Sequence, residues 1–581
     1  MQTLPLALAL ATVAGLLLPT ASLAAPAVVG TPGPAGTTHV LPVPPEPDVE
    51  PFVPVVPIEP LSPARRGAAK PPAPNTLPGA MPGTTSRSHT CTPSAADPVV
   101  DGARIAVTLP PAKAFTLGTL GQAFWGSPIH RDPTWQLNLY SFRWIAPLVR
   151  RAVEDNQNVA KDALLGEIVT FYRVNPDSGR GVRGWDEGSS LRRLETLNCL
   201  YAMTQDARLV KPMEREVAVQ FGPRYYGPPR YEVHNHGLMA NLRVVEAGQL
   251  LNRRTWMTSA RARIRAEAGM AFTARGTSWE QSAAYQGINR DLWAAAANTL
   301  QALDPNDPVV ATIRATVARA ANVAQWVTEP DGGVVQIGDS KISGGSPAPQ
   351  RTDRGVFRDD QAGLVVGRWS WKDPATTYYS LRYGPPRRAH GHPDQGQVTW
   401  SAAGSRILVG SGFHSYDPSS PYAKYSRTPT SANVAIPAGR PLRAASMRLH
   451  SSKVRSGLHA WVVTDSVFGR SHSRGVTVNH AQRTLTVRDA FRGSGAADQV
   501  WHLDPQWKLV STSKNGRVLR FKRADRRTLE ITTTAKLASA LRGSTRPVAG
   551  WNFPAPGQRV PNWELRIRWS KGTATTTFKV R

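Results

Sequence analysis

The chain has 581 residues, of which 70 are Lys or Arg and 41 are Asp or Glu, so its formal net charge is +29 at pH 7. An excess of this size attracts polyanions, which leaves nucleic acid, anionic lipid and acidic polysaccharide as possible partners. The two cysteines cannot form a closed zinc site, so a structural metal would need other ligands.

The first segment of the chain predicts export. Residues 6–18 form an apolar run, and residues 21–24 (ASLA) have the small-x-small pattern of a signal peptidase site. We therefore predict a signal peptide over residues 1–24 and a secreted, extracellular mature protein. The run is short and close to the terminus, and no later stretch is apolar enough for a span, so we expect no membrane insertion of the mature form.

Residues 25–100 are predicted to be a disordered, Pro-rich linker. Between Pro26 and Pro82 lie 17 of the 50 prolines, with neither helical nor strand periodicity, and such a stretch cannot bury a core. Residues 1–100 contain four basic and five acidic residues, a net charge of −1, which leaves +30 on residues 101–581. Export favours an acidic polysaccharide over nucleic acid as the partner, while an Arg-rich composition remains an alternative explanation of the charge.

The remaining residues are too many for one hydrophobic core, and two periodicities divide them. Over residues 101–333 apolar side chains recur at helical spacing, for example at Leu238, Leu242 and Val245. Over residues 334–581 the period is two, for example where Leu485 and Val487 alternate with polar neighbours. Helices followed by strands, without alternation, predict a helical domain and then an antiparallel β-sandwich.

Three clusters in the middle of the chain offer groups that bind an anion or move a proton: residues 234–237 (HNHG), 280–285 (EQSAAY) and 390–394 (HGHPD). In order and spacing, together with residues 337–340, 363–369 and 500–503, they resemble the heparinase II/III-like polysaccharide lyases. The resemblance implies an incomplete α/α toroid over residues 101–333 and a multi-layered antiparallel β-sandwich over residues 334–581. It also implies a lyase that cleaves a uronic-acid-containing glycan, a glycosaminoglycan or alginate, by β-elimination.

Asn235 and His236 resemble the family's Asn-His pair at the start of a toroid helix. Elimination removes the proton at C5 of a uronic acid, and this requires donors that neutralise the carboxylate. A neutral amide and an imidazole can donate without a formal salt bridge that would hold substrate and transition state equally well. An Asn cap that satisfies the amides of a first helical turn remains the alternative.

Tyr285 matches the family's catalytic tyrosine, and Glu280 opens the same motif. A phenol with an ordinary pKa of about 10 suits proton donation to the leaving oxygen better than proton abstraction. A buried structural aromatic is the alternative for Tyr285. We expect Glu280 to orient a neighbouring group, to cap a helix or to contact substrate rather than to react.

His390 matches the catalytic histidine, as the C5 base or as a partner of the substrate carboxylate. Imidazole is the side chain best able to be neutral and basic near pH 7. His390, His392 and Asp394 follow one another at intervals of two residues, which in an extended strand places all three on one face.

His392 matches a position that binds a structural zinc in many relatives. The two other expected ligands are missing, because Gly410 and Ala432 stand in their places. We therefore expect no metal and no cofactor, with His392 the only retained ligand. The alternative is a His-x-His-x-Asp site that a further group such as His414 completes.

Five further side chains are candidates for substrate binding or its support. Arg387 and Arg388 could bind a carboxylate or sulfate bidentately, although a solvated turn would have the same sequence. Tyr416, Tyr422 and Tyr425 lie where the family places substrate-contacting or second catalytic tyrosines, and the residues leave the choice among them open.

Cys91 and Cys199 are the two cysteines, one after the linker and one in a helical stretch. In an oxidising compartment they could form one disulfide at the start of the folded part.

Two other functions share these features. One is a catalytically inactive protein of the same fold that binds anionic glycan. The other is a glycoside hydrolase on an α/α toroid, although hydrolysis normally uses two facing carboxylates and these motifs centre on Asn, His and Tyr.

Overall fold

The computed structural model describes residues 133–175, 183–222, 235–343 and 355–581, residues 109, 125 and 345, and three N-terminal strands. These strands, β1 (Val99–Asp101), β2 (Arg104–Val107) and β3 (Phe115–Thr119), form an antiparallel sheet. The predicted signal peptide lies outside the described residues, as does the predicted linker up to residue 98. The domain boundaries stay predictions.

Helices form the described chain from residue 133 to residue 326. They are α1 (Pro133–Tyr140), α2 (Ala146–Glu154), α3 (Asn158–Val174), α4 (Glu187–Thr204), α5 (Val210–Phe221), α6 (Asn235–Leu250), α7 (Arg254–Ala268), α8 (Ala283–Leu303) and α9 (Pro308–Trp326). Side-chain caps set three of the starts, because Asp186, Ser282 and Asp307 each accept a backbone amide of the first turn. None of the helices that the structure describes is long and apolar enough to cross a membrane.

The helical spacing predicts the buried faces correctly. On α6, Leu238 and Val245 are buried, and Leu242 packs against the same core. Cys199 is buried within α4, whereas Cys91 lies outside the described residues, so the disulfide between them stays a prediction.

The chain from residue 355 folds into layered antiparallel sheets. A five-stranded sheet has the order β4-β5-β6-β7-β8, an eight-stranded sheet the order β10-β11-β12-β13-β24-β17-β16-β15, and a four-stranded sheet the order β18-β23-β14-β9. Two short ribbons, β19-β20 and β21-β22, and a helix α10 (Pro421–Ser426) accompany them. The strands are β4 (Gly355–Asp359), β5 (Leu364–Arg368), β6 (Tyr378–Arg382), β7 (Val398–Ala402), β8 (Ser405–Leu408), β9 (Ala435–Pro437), β10 (Arg448–Arg455), β11 (Leu458–Asp465), β12 (His472–Asn479), β13 (Thr484–Phe491), β14 (Ala497–His502), β15 (Lys508–Thr512), β16 (Val518–Lys522), β17 (Thr528–Thr533), β18 (Lys536–Arg542), β19 (Ser544–Thr545), β20 (Val548–Ala549), β21 (Trp551–Asn552), β22 (Val560–Pro561), β23 (Trp563–Trp569) and β24 (Thr573–Val580).

The alternating pattern of the sequence marks real half-buried strands. On β13, Leu485 and Val487 are buried between less buried neighbours, and on β23 Leu565 and Ile567 are buried. The predicted fold class, helices followed by antiparallel sheets, is confirmed.

A separate hydrophobic core joins the helices to the five-stranded sheet. Val323 and Trp326 of α9 pack with Phe357 of β4 and Tyr378 of β6. The Tyr378 hydroxyl also donates to the backbone oxygen of Trp326, at 3.0 Å. This core fixes the helix pair α8 and α9 against the first sheet. The candidate active site lies between α8 and a loop of that sheet.

A buried charge cluster ties three neighbouring strands of the eight-stranded sheet. His472 Nδ1 lies 2.7 Å from Asp465 Oδ2, and His472 Nε2 lies 2.9 Å from Asp489 Oδ1. Arg474 contacts both oxygens of Asp489, at 2.7 and 2.9 Å. Burial lowers the pKa of His472, but hydrogen bonds from the ring to Asp465 and Asp489 outweigh it, so the pKa of His472 is raised above its ordinary value.

The raised pKa of His472 makes a pH-dependent contribution to stability. The stabilisation is complete below the unfolded-state pKa of about 6.5 and is lost as the pH rises through the higher folded-state pKa. We expect His472→Gln to lower the free energy of unfolding by about 3 kcal/mol at pH 6 and by less at pH 9. Urea unfolding of both proteins at the two pH values measures this, and a difference that does not change with pH would contradict the assignment.

Candidate active site

Three separated segments of the chain meet between α8 and the loop that joins β6 to β7. Gln281 connects two of them, since its Nε2 donates to the Pro386 oxygen at 3.0 Å and its Oε1 accepts from Arg388 N at 2.7 Å. Ser282 connects the third segment, because its hydroxyl caps α8 and donates to the backbone oxygen of Asp339 at 3.0 Å. The first turn of α8 is thus fixed to residues 337–340 and 386–392.

Gly338 allows these segments to come so close. Its φ is +62°, and a Cβ atom there would lie 2.6 Å from both the Gln281 oxygen and the His390 oxygen. A side chain at this position would therefore separate the segments. The next residue, Asp339, donates its backbone N–H to the His390 oxygen at 2.8 Å.

The carboxylate of Asp339 is the centre of the hydrogen-bond network. Its Oδ2 contacts His390 Nδ1 and the Tyr416 hydroxyl, both at 2.9 Å, and its Oδ1 contacts His392 Nε2 at 2.8 Å. Burial raises the pKa of Asp339, but the hydrogen bonds from His390 and His392 outweigh it, so the net pKa of Asp339 lies well below its ordinary value. An ionised carboxylate only accepts, so His390 Nδ1 and His392 Nε2 both carry hydrogen.

Tyr285 lies against His390. The two rings stack with centroids 3.5 Å apart and planes 9° apart, and the Tyr285 hydroxyl lies 3.2 Å from that of Tyr416. Burial and the nearby charge of Asp339 raise the pKa of Tyr285 well above its ordinary value, and the same two causes raise the pKa of Tyr416. Both phenols are therefore protonated at neutral pH.

Asn235, the first residue of α6, is bound to Glu280. Its backbone N–H donates to Glu280 Oε1 at 2.8 Å and its Nδ2 donates to Oε2 at 2.9 Å. Its side chain is thus held by a carboxylate from another segment, and the helix-cap alternative is not what the described contacts show. Glu280 Oε2 also lies 3.7 Å from His390 Nε2. His236 is buried, with its Nδ1 3.8 Å from Glu187 Oε1.

The prediction that residues 390–394 form an extended strand is wrong. They lie in the loop between β6 and β7, where Pro393 has no N–H for a strand ladder. Asp394 does not share the partner of the histidines; it pairs with Arg382, whose Nε lies 2.8 Å from Asp394 Oδ1. His390 and His392 nevertheless meet at Asp339, through different ring nitrogens.

The candidate substrate-binding residues divide between the cluster and its surroundings. Arg387 and Arg388 are exposed on the loop before His390, where Arg387 Nε donates to the Gly391 oxygen at 2.8 Å. Of the three tyrosines, Tyr416 joins the Asp339 network. Tyr422 packs against Trp551 and Arg559, and the buried Tyr425 donates its hydroxyl to Glu564 at 2.8 Å.

Asp339 and Arg427 belong to the site but were not among the residues that the sequence predicted for it. Asp339 lies within residues 337–340, which contribute to the family resemblance. The Gly-Asp-Ser turn before the first sheet is the feature of the sequence that could have pointed to it. Arg427 lies over the ring of Tyr416, with its Nη2 3.7 Å from Asp339 Oδ2. It is the cation that the structure adds to this group of side chains.

The residues present do not fit a zinc ion at His392. Its Nε2 is bound to Asp339, and a Cβ at position 410 would lie 2.1 Å from the Gln336 oxygen, which leaves no room for a ligand side chain. His414, the predicted replacement, contacts Ser415 and packs on Phe553. No group of three metal-ligating side chains is found in the part of the chain that the structure describes.

Comparison with known proteins agrees with this architecture. Residues 352–579 match the family model described as Heparinase II/III-like, C-terminal. A crystal structure of heparinase III is 15% identical, with a TM-score of 0.66, over 81% of this chain and 80% of that chain. A heparinase III gene product is 13% identical, with a TM-score of 0.59, over 79% and 80% of the two chains.

Heparan sulfate lyase HepC from Pedobacter heparinus is 15% identical, with a TM-score of 0.54, over 78% of each chain. No curated protein matches the sequence. At these identities the likeness to the solved structures is one of fold. The resemblance that the motifs indicated is confirmed: residues 352–579 carry the heparinase II/III-like C-terminal domain, on a fold similar to that of heparinase III.

Proposed function

We propose that this protein is a secreted polysaccharide lyase that cleaves a uronic-acid-containing acidic glycan by β-elimination. The observation that carries the proposal is the stacked pair Tyr285 and His390. Both contact the hydroxyl of Tyr416, and Glu280 lies between His390 and Asn235. A proton acceptor and a proton donor within one contact distance are what elimination at adjacent carbons requires.

His390 is the base in this mechanism. Because its Nδ1 donates to Asp339, its lone pair is on Nε2, the nitrogen on the side of Glu280. The C5–H proton passes to Nε2, and the electrons of the C–H bond form the double bond between C4 and C5. Carboxylates near both ring nitrogens, Asp339 and Glu280, then stabilise the imidazolium that forms.

Tyr285 is the acid. Its raised pKa keeps the hydroxyl protonated until charge develops on the leaving O4 oxygen. The proton then passes from Oη to O4 as the bond between C4 and O4 breaks. The Tyr416 hydroxyl, which donates to Asp339, lies 3.2 Å from the same Oη. We thus propose His390 as the base and Tyr285 as the acid, two roles that the sequence left open.

Asn235 serves the substrate carboxylate. One hydrogen of its Nδ2 is used by Glu280, which fixes the amide plane and leaves the second hydrogen of the same nitrogen for a ligand. Such an oriented neutral donor can strengthen its bond as the enolate-like charge develops. His236 is the next residue of α6 and lies in the same helical turn as Asn235.

The acidic glycan is supported by the formal charge of +30 on residues 101–581 and by the likeness to proteins named heparinase III and heparan sulfate lyase. Secretion is supported by the apolar run of residues 6–18 and its small-x-small site. A hydrolase is less well supported, because the two carboxylates beside His390 are both occupied by hydrogen-bond donors.

A glycan screen tests the proposal. Heparin, heparan sulfate, chondroitin, hyaluronan, alginate and bacterial glucuronans are incubated with the protein while the ultraviolet absorbance of the unsaturated product is followed. We expect a rise with at least one of them. Binding without any rise would favour the inactive glycan-binding protein instead.

The proton-transfer pair makes a sharper prediction. On the glycan that the screen identifies, Tyr285→Phe and His390→Ala should each lower kcat by about 10² or more, because each removes one proton-transfer group. Tyr379→Phe is the matched control, since this buried hydroxyl contacts His459 and Trp461 in the sandwich. Ordinary turnover in folded Tyr285→Phe or His390→Ala would remove that residue from the mechanism.

Glycan binding should depend strongly on salt. Exposed Arg and Lys contacts weaken as the Debye length falls from about 10 Å at 0.1 M to about 3 Å at 1 M salt. We expect the Kd for the glycan, measured by titration calorimetry with Tyr285→Phe, to rise by at least about tenfold over this range. An unchanged Kd would mean that the charge is only compositional.

Zinc should contribute nothing to this site. Gly410 and Ala432 offer no ligand side chain, and Nε2 of His392 is already bound to Asp339. We therefore expect clearly less than one zinc per chain by elemental analysis. A chelator should change neither the melting temperature nor the activity. Stoichiometric zinc that is lost together with stability would contradict this expectation.

A further inference from the structure

The carboxylate of Asp339 accepts hydrogen bonds from two histidines that come from one loop. We propose, on the basis of the lyase function proposed above, that Asp339 is the positioning residue of this site. It holds His390 in the tautomer that presents Nε2 to substrate, and its other oxygen anchors His392. One carboxylate is therefore the structural partner of both histidines of the loop.

The Oδ2 oxygen determines the state of His390. A neutral imidazole has one N–H, and Oδ2 at 2.9 Å from Nδ1 requires that hydrogen to be on Nδ1. The other nitrogen, Nε2, is then an acceptor and lies on the side of Glu280 and Asn235. Without the carboxylate the hydrogen could move to Nε2, which would remove the base.

The Oδ1 oxygen determines the position of the carboxylate itself. An Asp carboxylate rotates easily when only one oxygen is bound, since the final torsion of its side chain is broad. The bond from His392 Nε2 to Oδ1, at 2.8 Å, stops that rotation. The backbone bond from Asp339 N to the His390 oxygen closes the third connection between the two segments.

The charge of Asp339 is compensated without a metal. The residue is 6% exposed, so its carboxylate needs donors to remain ionised. His390, His392 and Tyr416 supply three hydrogen bonds, and the guanidinium of Arg427 lies 3.7 Å from Oδ2. A bound cation at His392 would have to displace one of these bonds.

Asp339→Asn tests the role of Asp339. The amide has one oxygen and one NH₂ group, so it cannot accept from both imidazoles, and one of the two rings must change tautomer. We expect kcat to fall by about 10² or more with KM changed by less than about threefold. Asp394→Asn is the matched control, because it is a buried Asp of the same loop that pairs with Arg382 and not with His390.

Nitrogen NMR of the histidine rings gives a readout that does not need activity. In the wild-type protein His390 should show hydrogen on Nδ1 and His392 should show hydrogen on Nε2. Asp339→Asn should alter this pattern, and Asp394→Asn should leave the hydrogen of His390 on Nδ1. Melting temperatures of both variants establish that each is folded.

Two variants of His392 separate the carboxylate anchor from a metal site. The amide nitrogen of His392→Gln can still donate to Oδ1, whereas His392→Phe cannot. We expect His392→Gln to retain most of the wild-type kcat and His392→Phe to lose about tenfold or more. If a metal were the anchor, both variants would lose activity alike.

Unchanged ring tautomers in folded Asp339→Asn would overturn the inference, as would equal losses in the two His392 variants. If the wild-type protein cleaves no glycan, the proposed function fails, while the NMR pattern still decides whether Asp339 orients His390.

Discussion

The buried, ionised carboxylate of Asp339 is the interaction on which the geometry of this site depends. Taking a carboxylate out of water is costly unless several donors replace the lost water. Here the donors to the carboxylate come from a loop of the first sheet and from the segment around Tyr416, while Ser282 at the start of α8 donates to the backbone oxygen of the same residue. The side chain and the backbone of Asp339 together therefore join the sheet loop and the start of α8 at the place where the proposed chemistry occurs.

The stacking of Tyr285 on His390 depends on a second, apolar constraint. Tyr285 belongs to α8 and His390 to the β6–β7 loop, so their 3.5 Å ring separation requires the helix pair and the sheet to stay in register. Trp326 and Phe357 supply that register through the core that joins α9 to the five-stranded sheet. Hydrophobic packing places α9 against the sheet, and the hydrogen bonds of Gln281 and Ser282 tie the start of α8 to residues 339 and 386–388.

The sequence predicts what local patterns encode. Period-two alternation marks β13 and β23, helical spacing marks the buried face of α6, and the motif order places Asn235, Tyr285 and His390 near one another. Long-range partners are not encoded locally: an Asp in a Gly-Asp-Ser turn is common in loops, so nothing in the chain singled out Asp339. Residues 390–394 were predicted to be a strand because their polar side chains recur every two residues. That spacing cannot show that Asp394 pairs with Arg382 instead of sharing a strand face with the histidines.

Some polar atoms of the site have hydrogen-bond partners within the protein, and others have none among the described residues. Both oxygens of Asp339 and both oxygens of Glu280 have partners, which fixes His390 and Asn235. By contrast, Asn235 Oδ1 and Arg427 Nε are buried and accept or donate no hydrogen bond among the described residues. Buried polar atoms without partners cost stability, and water, an ion or a ligand can complete them. A sugar hydroxyl can donate to an amide oxygen, and a sugar carboxylate can accept from a guanidinium, so the unpaired atoms match the chemistry of an acidic glycan.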